Sequence, residues 1–231
     1  MKNYFKSAVG FARHQYDKAY SSICKFNHLL RARQMRSNLI NKEFTIISSD
    51  CTGGLIYHDL NMEFSSPTIN MAINASGFVK LCTNLEWYMN DAEVVEDNSQ
   101  KSMNGENYPI LKVGDEVFLH GIHYHSTNQM MAKWNDRKTR VNYKNIFCIF
   151  TTKDGFEERI LPEIDKVPYN KILLSNKQYD YDWCIYLPQT KNQETVGNVT
   201  IYEGLLGVRR YETHFDFIKW FNGEALSACK K

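Results

Sequence analysis

One segment of the chain could mount a nucleophile at the start of a helix. A β-branched run over 44–48 is followed in order by Ser49, Asp50, Cys51, Thr52, Gly53 and Gly54. This order is typical of a strand whose tight turn opens a helix. The free N–H groups of such a turn can bind an anionic substrate group, and the helix dipole favours a thiolate at Cys51. The simpler interpretation is that the two glycines only let the helix pack closely against its strand.

Three histidines follow a second run of strand composition. His120, His123 and His125 stand at positions i, i+3 and i+5 of segment 116–126. If the strand continued to residue 125, alternation would place His123 and His125 on one face and His120 on the other. The sequence has no Cys-x-x-Cys or His-Glu-x-x-His motif that would complete a metal site, so we predict none. We expect a general base or acid from His120 or His123.

A third set of residues could bind phosphate. On a predicted helix over 126–140, Trp134 and Arg137 share one side, and Arg140 can lie beside Arg137. Two guanidinium groups offer the paired donors that phosphate oxygens accept. The alternative is a solvated helix face with Trp134 packed in the core. Asp154 follows another predicted strand, and we count it among the substrate-binding candidates.

The pattern of elements predicts one layered α/β domain with a mainly parallel sheet, helices on both faces and one antiparallel hairpin. The strand candidates are 44–48, 117–124, 145–151, 171–175 and 183–187, with an added hairpin arm at 108–115. The helix candidates are 54–60, 76–90, 126–140, 156–165 and 213–222. Ligands in such sheets bind at the carboxyl ends of strands. We therefore expect 44–48 to be a central strand, and Cys51 to share a concavity with His120 or His123.

Length and composition indicate one domain with reduced thiols. The chain has 231 residues and six cysteines without paired spacing, which predicts an intracellular protein rather than a disulfide framework. We recognise no signal peptide and no run of about 20 apolar residues that could span a membrane. We therefore expect a cytoplasmic protein.

Charge is distributed unevenly along the chain. Residues 1–40 hold eight Lys or Arg against Asp17 alone, a balance of +7, and the remaining 20 basic and 25 acidic residues give −5. The mildly acidic body argues against nucleic-acid binding. In the basic part, apolar residues recur at helical spacing, which predicts an amphipathic arm over 1–42 ahead of a domain over 43–231. The stripe consists of Phe5, Val9, Ala12, Tyr16, Tyr20, Ile23, Phe26 and Leu30. Such an arm suits an anionic membrane, its own domain or a second copy.

Several of these motifs together resemble a bacterial family known as exopolysaccharide biosynthesis proteins. The resemblance spans about 43–223 and rests on the segments 44–57, 65–69, 118–124, 134–142, 154–155 and 215–223. Asp50 stands where that family has Asn, and Gly121 where it has an aromatic residue. We expect the Asp50 carboxylate to raise the pKa of Cys51, which counts against a thiolate nucleophile. The family has no established activity to carry over, but its association with capsule and lipopolysaccharide genes implies a role in making a surface polysaccharide.

The predicted function is a transferase that acts on a surface polysaccharide or its lipid-linked precursor, with acyl transfer preferred. Ser48, Ser49 or Cys51 would be the nucleophile or a neighbour in the oxyanion hole, and His120 or His123 would be the base. No resident cofactor is required, and the donor would be an acyl thioester such as acetyl-CoA. One alternative is a glycosyltransferase that holds a divalent cation with Asp180 and Asp182, which have Asp-x-Asp spacing. Another alternative is a non-catalytic component of a polysaccharide assembly complex.

Overall fold

The elements of the fold follow the predicted alternation of strands and helices. A computed structural model describes residues 2–100, 103 and 105–224, with side chains from residue 13 onward. The helices are α1 (Lys2–Asn38), α2 (Thr52–Leu60), α3 (Ala75–Thr83), α4 (Leu85–Asn90), α5 (Thr127–Lys138), α6 (Leu161–Asp165) and α7 (Phe217–Phe221). The strands are β1 (Thr45–Ser48), β2 (Val94–Glu96), β3 (Ile110–Val113), β4 (Val117–His120), β5 (Ile146–Thr151), β6 (Asn170–Ser175), β7 (Cys184–Tyr186), β8 (Tyr202–Glu203) and β9 (Val208–Arg209). Short 3₁₀ turns cover Glu158–Ile160, Pro188–Thr190 and Arg210–Glu212.

A four-stranded parallel sheet with the order β1-β5-β6-β7 separates two hydrophobic clusters. Side chains alternate across the sheet, so Ile47 and Cys148 enter one cluster, whereas Ile46 and Phe147 enter the other. Helices α3, α4 and α5 close the first cluster, and α2 and α7 close the second. The predicted layered α/β fold is therefore confirmed, and burial on both faces explains the apolar runs of these strands.

The prediction that 44–48 forms a central strand is wrong, because β1 is an edge strand of the parallel sheet. Side chains cover its outer edge. The Ile46 N–H donates to the Tyr57 hydroxyl at 2.8 Å, and the Ser48 N–H donates to Thr68 Oγ1 at 3.4 Å. Tyr57 belongs to α2 and Thr68 to the loop after it. Side chains from the segment that follows the strand therefore accept hydrogen bonds from backbone groups that a neighbouring strand would otherwise pair.

The chain at 71–73 joins the end of β1 to a second sheet. The Ile73 N–H donates to Ser49 O at 3.0 Å, and Ala72 and His120 exchange two backbone hydrogen bonds of 2.9 Å. The carboxyl end of β1 therefore lies near the carboxyl end of β4, although these strands do not pair directly. This connection brings the turn before α2 close to the predicted histidine segment.

The second sheet is antiparallel and has the order β2-β3-β4. The predicted hairpin is confirmed in β3 and β4, while β2 lies in a segment whose polar composition is typical of a loop. Strand β4 ends at His120 and does not continue to residue 125. A turn follows, in which the Tyr124 N–H donates to Gly121 O at 2.8 Å. The alternation expected for His123 and His125 therefore does not apply.

Helix α1 docks on the body through a face that differs from the predicted apolar stripe. Its buried residues are Cys24, His28, Ala32 and, just after the helix, Leu39. The stripe residues Tyr16, Ile23, Phe26 and Leu30 are exposed, Tyr20 is half-buried, and the side chains of Phe5, Val9 and Ala12 lie outside the described part. The proposed division at residue 42 stays a prediction. Within the described residues, no helix combines the length and apolar character that a membrane span requires.

The hairpin of β8 and β9 packs directly against the docked half of α1. Gly207 in its loop has φ +68°, and a Cβ atom there would lie 2.5 Å from Cys24 O and 2.9 Å from His28 Cα. Gly204, at the other end of the same loop, has φ +72° but no neighbour within 4 Å of a Cβ position. The two glycines share a backbone conformation and differ in the space around them.

We expect Gly207→Ala to lower the free energy of unfolding by about 2–4 kcal/mol, because it adds backbone overlap to left-handed strain. Gly204→Ala is the matched control and carries only the strain, about 1 kcal/mol. Urea unfolding of both variants measures the difference. Equal losses would contradict the close packing of the hairpin on α1.

Candidate functional site

A cysteine and a histidine meet at the ends of β1 and β4. Cys51 Sγ lies 3.3 Å from His123 Nε2. Cys51 immediately precedes α2, and His123 lies in the turn after β4. The predicted closeness of Cys51 to one of the two histidines is therefore confirmed, and the partner is His123. That the two side chains share a concavity stays a prediction. A thiol beside an imidazole is the arrangement in which the histidine can take the thiol proton as sulfur attacks.

The turn before α2 is held by side chains of its own segment. Asp50 Oδ1 accepts a 3.0 Å hydrogen bond from the Thr52 N–H, and the Ser48 hydroxyl donates to Asp50 O at 2.8 Å. A Cβ at Gly53 would lie 2.9 Å from Ser48 Cβ, and one at Gly54 would lie 3.3 Å from an Ile69 methyl. The glycines thus provide the steric clearance that the simpler interpretation required, and their role in substrate binding stays a prediction.

The turn that carries His123 is fastened by a buried arginine. Arg137 Nη1 donates to the Tyr124 hydroxyl at 2.9 Å and to Ile69 O at 3.1 Å. The Tyr124 hydroxyl also donates to Ile69 O at 3.0 Å. The guanidinium carbon stands 5.3 Å from the ring centroid of Phe64. Arg137 therefore positions the turn from inside the protein, which corrects the expectation that it would hold substrate phosphate.

Trp134 and Arg140, the other two residues expected to bind phosphate, also make contacts within the protein. Trp134 is fully buried in the core, so it offers no surface to a ligand. Arg140 forms ion pairs with Glu63 and, at 2.6 Å, with Asp136. Trp134 and Arg137 face the core because α5 packs over the antiparallel sheet, a contact that helical periodicity does not reveal.

Burial and charge keep Cys51 protonated. Loss of hydration and the neighbouring Asp50 carboxylate raise the pKa of the Cys51 thiol to about 11, although Lys153 acts in the opposite direction. These effects outweigh the helix dipole, which would favour a thiolate, and the effect expected of Asp50 is confirmed. The resting site is consequently a neutral thiol next to His123.

Lys153 is a site residue that the sequence analysis missed. Its Nζ lies 3.2 Å from Asp50 Oδ2, and it lies two residues after the end of β5, the strand next to β1. Burial would lower the pKa of Lys153, but Asp50 and Asp154 raise it above its ordinary value. The neighbouring Asp154 has a pKa that is raised by burial. A search of every strand end for charged residues, not only for turn formers, would have found Lys153.

Ser49 and His120 have hydrogen-bond partners other than Cys51 and His123. The Ser49 hydroxyl is buried 3.4 Å from the Thr151 hydroxyl. His120 is buried, with Nδ1 3.4 Å from the Tyr108 hydroxyl, and burial lowers the pKa of its imidazole. The structure therefore favours Cys51 over Ser49 as nucleophile and His123 over His120 as base.

Comparison with known proteins places this site within a family. A family model described as a domain of unknown function, DUF1919, matches residues 21–222. The chain belongs to the DUF1919 family. It is also 30% identical over 209 residues to an uncharacterized protein of Haemophilus influenzae, a match that covers 90% of this chain and 98% of that protein.

The region matched by DUF1919 contains the whole candidate site. It begins inside α1, ahead of the buried residues Cys24 and His28, and ends just after α7. Cys51, His123 and Lys153 all fall within it. The docked half of α1 is thus part of the region that the family model describes.

A role of Asp180 and Asp182 in binding a divalent cation stays a prediction. Asp182 lines a cavity of ≈ 330 Å³, but Asp180 is not part of that lining. Between them, Tyr181 stacks on Trp183 with ring centroids 4.5 Å apart. In the part of the chain that the structure describes, no group of three or more His, Cys, Asp or Glu residues is arranged to hold a metal ion.

A cavity of ≈ 920 Å³ lies away from Cys51, between the end of α1 and the chain at 212–224. Its lining contains Ser37 and Thr213, whose hydroxyl groups both donate to backbone carbonyls at 2.8 Å. No cysteine lines it. Cys51 remains the candidate for chemistry, because reactivity requires a nucleophile next to a base, which a large cavity alone does not supply.

Proposed function

We propose that the protein is an acyltransferase in which Cys51 is the nucleophile and His123 is the general base. The observation that carries the proposal is the 3.3 Å contact between Cys51 Sγ and His123 Nε2. The donor would be an acyl thioester such as acetyl-CoA, and no resident cofactor is needed. The acceptor would be a hydroxyl group of a surface polysaccharide or of its lipid-linked precursor.

The first half-reaction moves the acyl group to Cys51. His123 Nε2 takes the thiol proton as Sγ attacks the acyl carbonyl, and the donor thiol leaves with that proton. Because the pKa of the Cys51 thiol is raised to about 11, removal of the proton is coupled to the attack. The N–H groups of Gly53 and Gly54, in the first turn of α2, have no intrahelical acceptors and can bind the developing oxyanion.

The second half-reaction transfers the acyl group from Cys51 to the acceptor hydroxyl. His123 takes the proton of an acceptor hydroxyl as its oxygen attacks the Cys51 thioester, and Sγ recovers a proton from the imidazolium when the ester forms. His123 is exposed and Cys51 is partly exposed, which suits an acceptor that belongs to a large molecule. The choice of a polysaccharide follows from the resemblance to exopolysaccharide biosynthesis proteins.

The proposal is tested by trapping the acyl-enzyme. We expect labelled acetyl-CoA, without an acceptor, to form a thioester on Cys51 that peptide mass spectrometry can locate. Cys51→Ala should abolish this label, and His123→Ala should slow its formation roughly 100-fold or more, the usual contribution of a general base. Cys184→Ala is the matched control, because Cys184 is also partly exposed but lies on β7. Labelling of Cys184 alone, or unchanged labelling in His123→Ala, would refute the dyad.

The class of acceptor is tested in cells. The polysaccharide of a strain that lacks the gene should lose an acyl group and keep its sugar sequence. Loss of a sugar would instead indicate glycosyl transfer, and loss of the whole polymer would indicate a role in assembly. A Cys51→Ala strain should reproduce the loss of the acyl group.

A further inference from the structure

The outward face of α1 exposes large apolar side chains that nothing in the described chain covers. Their exposed fractions are 67% for Tyr16, 47% for Ile23, 62% for Phe26, 56% for Leu29 and 48% for Leu30. The opposite face of the same helix holds the buried residues Cys24, His28 and Ala32. The helix is therefore anchored on one side and apolar on the other, so its exposed residues are not needed to hold it in place.

The β8–β9 hairpin adds two leucines beside this face. Leu205 and Leu206 are 51% and 73% exposed, at the tip of the loop that packs against α1. Leu205 O accepts a 2.7 Å hydrogen bond from Asn27 Nδ2, which fixes the loop next to the helix. The exposed residues of α1 and the two leucines together form what we call the α1 apolar face.

Basic residues accompany the α1 apolar face. The first 40 residues carry a net charge of +7. Lys18, Lys25 and Arg33 are exposed on α1, and the ion pairs recorded for the described residues include none of them. Apolar side chains next to unpaired basic ones match a surface that is anionic at its boundary and apolar beneath it.

We propose that the α1 apolar face binds the surface of an anionic lipid bilayer. The basic side chains supply long-range attraction, and the apolar side chains enter the boundary between headgroups and acyl chains. A second copy is a poorer occupant, because it would bring together two helices that each carry the same excess of positive charge. Binding at a bilayer does not depend on the reaction at Cys51.

The structure also indicates how a bound protein would present its site. The ion pair of His28 with Asp59 ties α1 to the end of α2, and Cys51 precedes the start of α2. The nine residues of α2, at a rise of about 1.5 Å each, separate these two points by roughly 13 Å. In a bound protein, Cys51 would therefore lie off the bilayer surface, which suits the head of a lipid-linked saccharide rather than its lipid tail.

Vesicle co-sedimentation of the full chain tests the proposal. We expect the protein to sediment with vesicles that contain phosphatidylglycerol, and far less with pure phosphatidylcholine. Binding should weaken as salt is raised towards 1 M, where the Debye length falls to about 3 Å. Deleting α1 would not be a clean test, because its inner face is part of the core. Surface substitutions leave that face intact.

The double variants Phe26→Ser with Leu30→Ser, and Leu205→Ser with Leu206→Ser, should each weaken binding roughly tenfold or more. Val95→Ser is the matched control, since Val95 is 40% exposed on β2, away from α1, and it should bind as the unmodified chain does. Equal binding by all variants, or none to anionic vesicles, would overturn the proposal. A stable dimer in light scattering that these double variants dissociate would assign the face to a second copy instead.

Discussion

Replacing Asp59 with alanine is expected to lower the free energy of unfolding by about 3–5 kcal/mol, the cost of breaking a buried ion pair. Asp59 Oδ2 lies 2.9 Å from His28 Nε2 and 3.1 Å from Arg209 Nε, and the Tyr211 hydroxyl stands 3.5 Å away. His28 and Asp59 are both nearly inaccessible to solvent. Without the carboxylate, two buried cationic groups would face each other without a counter-charge.

The same cluster makes stability depend on pH. His28 Nδ1 lies 2.9 Å from Gly207 O, and Nε2 lies 2.9 Å from Asp59 Oδ2 without the alignment of a hydrogen bond. An oxygen close to each ring nitrogen favours the charged imidazolium. Burial would lower the pKa of His28, but Asp59 outweighs it and the pKa is raised, whereas Arg209 acts to lower it. The stabilisation by His28 is therefore complete below its unfolded pKa of about 6.5 and is lost as pH rises through the higher folded value.

The pKa of Asp59 shifts in the opposite direction. Burial would raise it, but His28 and Arg209 lower it below its ordinary value. The contribution of Asp59 is thus present above about pH 3.9 and is lost as pH falls through the folded pKa. The other ionisable groups of this cluster include His58, Tyr202, Tyr211, Glu212 and Arg31, and burial raises the pKa of Glu212. The pair should therefore stabilise the protein most between about pH 4 and 6.5.

Urea unfolding at pH 6 and pH 8.5 measures both the stability lost in Asp59→Ala and the dependence of stability on pH. The unmodified protein should become less stable between pH 6 and pH 8.5. The isosteric variant Asp59→Asn should show much less of this change. Asp136→Asn is the matched control, because Asp136 pairs with Arg140 at the surface and should cost no more than about 1 kcal/mol. Similar losses for the two sites would mean that the buried cluster does not stabilise the docked α1.

Asp50→Asn is expected to speed alkylation of Cys51 by iodoacetamide roughly tenfold at pH 8. Only the thiolate reacts, and removing a nearby like charge lowers a pKa by about one unit or more. Asparagine keeps the oxygen that accepts the Thr52 N–H, so the turn should be preserved. Lys153→Met should have the opposite effect, because Lys153 lowers the pKa of the Cys51 thiol.

Peptide mass spectrometry can follow Cys51 and Cys184 in the same sample. Cys184 is partly exposed on β7 and serves as the internal reference, and its rate should not change in either variant. The pH dependence of alkylation should place the pKa of Cys51 near 11 in the unmodified chain. A rate at Cys51 that is already maximal at pH 7 would show a resting thiolate and would contradict coupled proton transfer to His123.

Local patterns in the sequence were sufficient to predict most elements. The strand–turn–helix around Cys51, the β3–β4 hairpin and the buried parallel strands were all predicted, because each depends on neighbours within a few residues. Turn residues, glycines and the period of apolar side chains act over that range. The pairing of Cys51 with one histidine was also predicted, from the rule that sites gather at strand ends.

Only the tertiary structure decided which residues are accessible and which meet. The sequence does not show that the chain at 71–73 bridges β1 to β4, which places His123 beside Cys51 while β1 stays at an edge. Likewise, the body covers the face of α1 around His28 rather than its more apolar face, because Asp59 and the hairpin at Gly207 complement it. Arg137 is buried for the same reason, since its acceptors come from Ile69 and Tyr124. Which residues become buried depends on contacts between segments that are distant in the sequence, and neither spacing nor composition predicts those contacts.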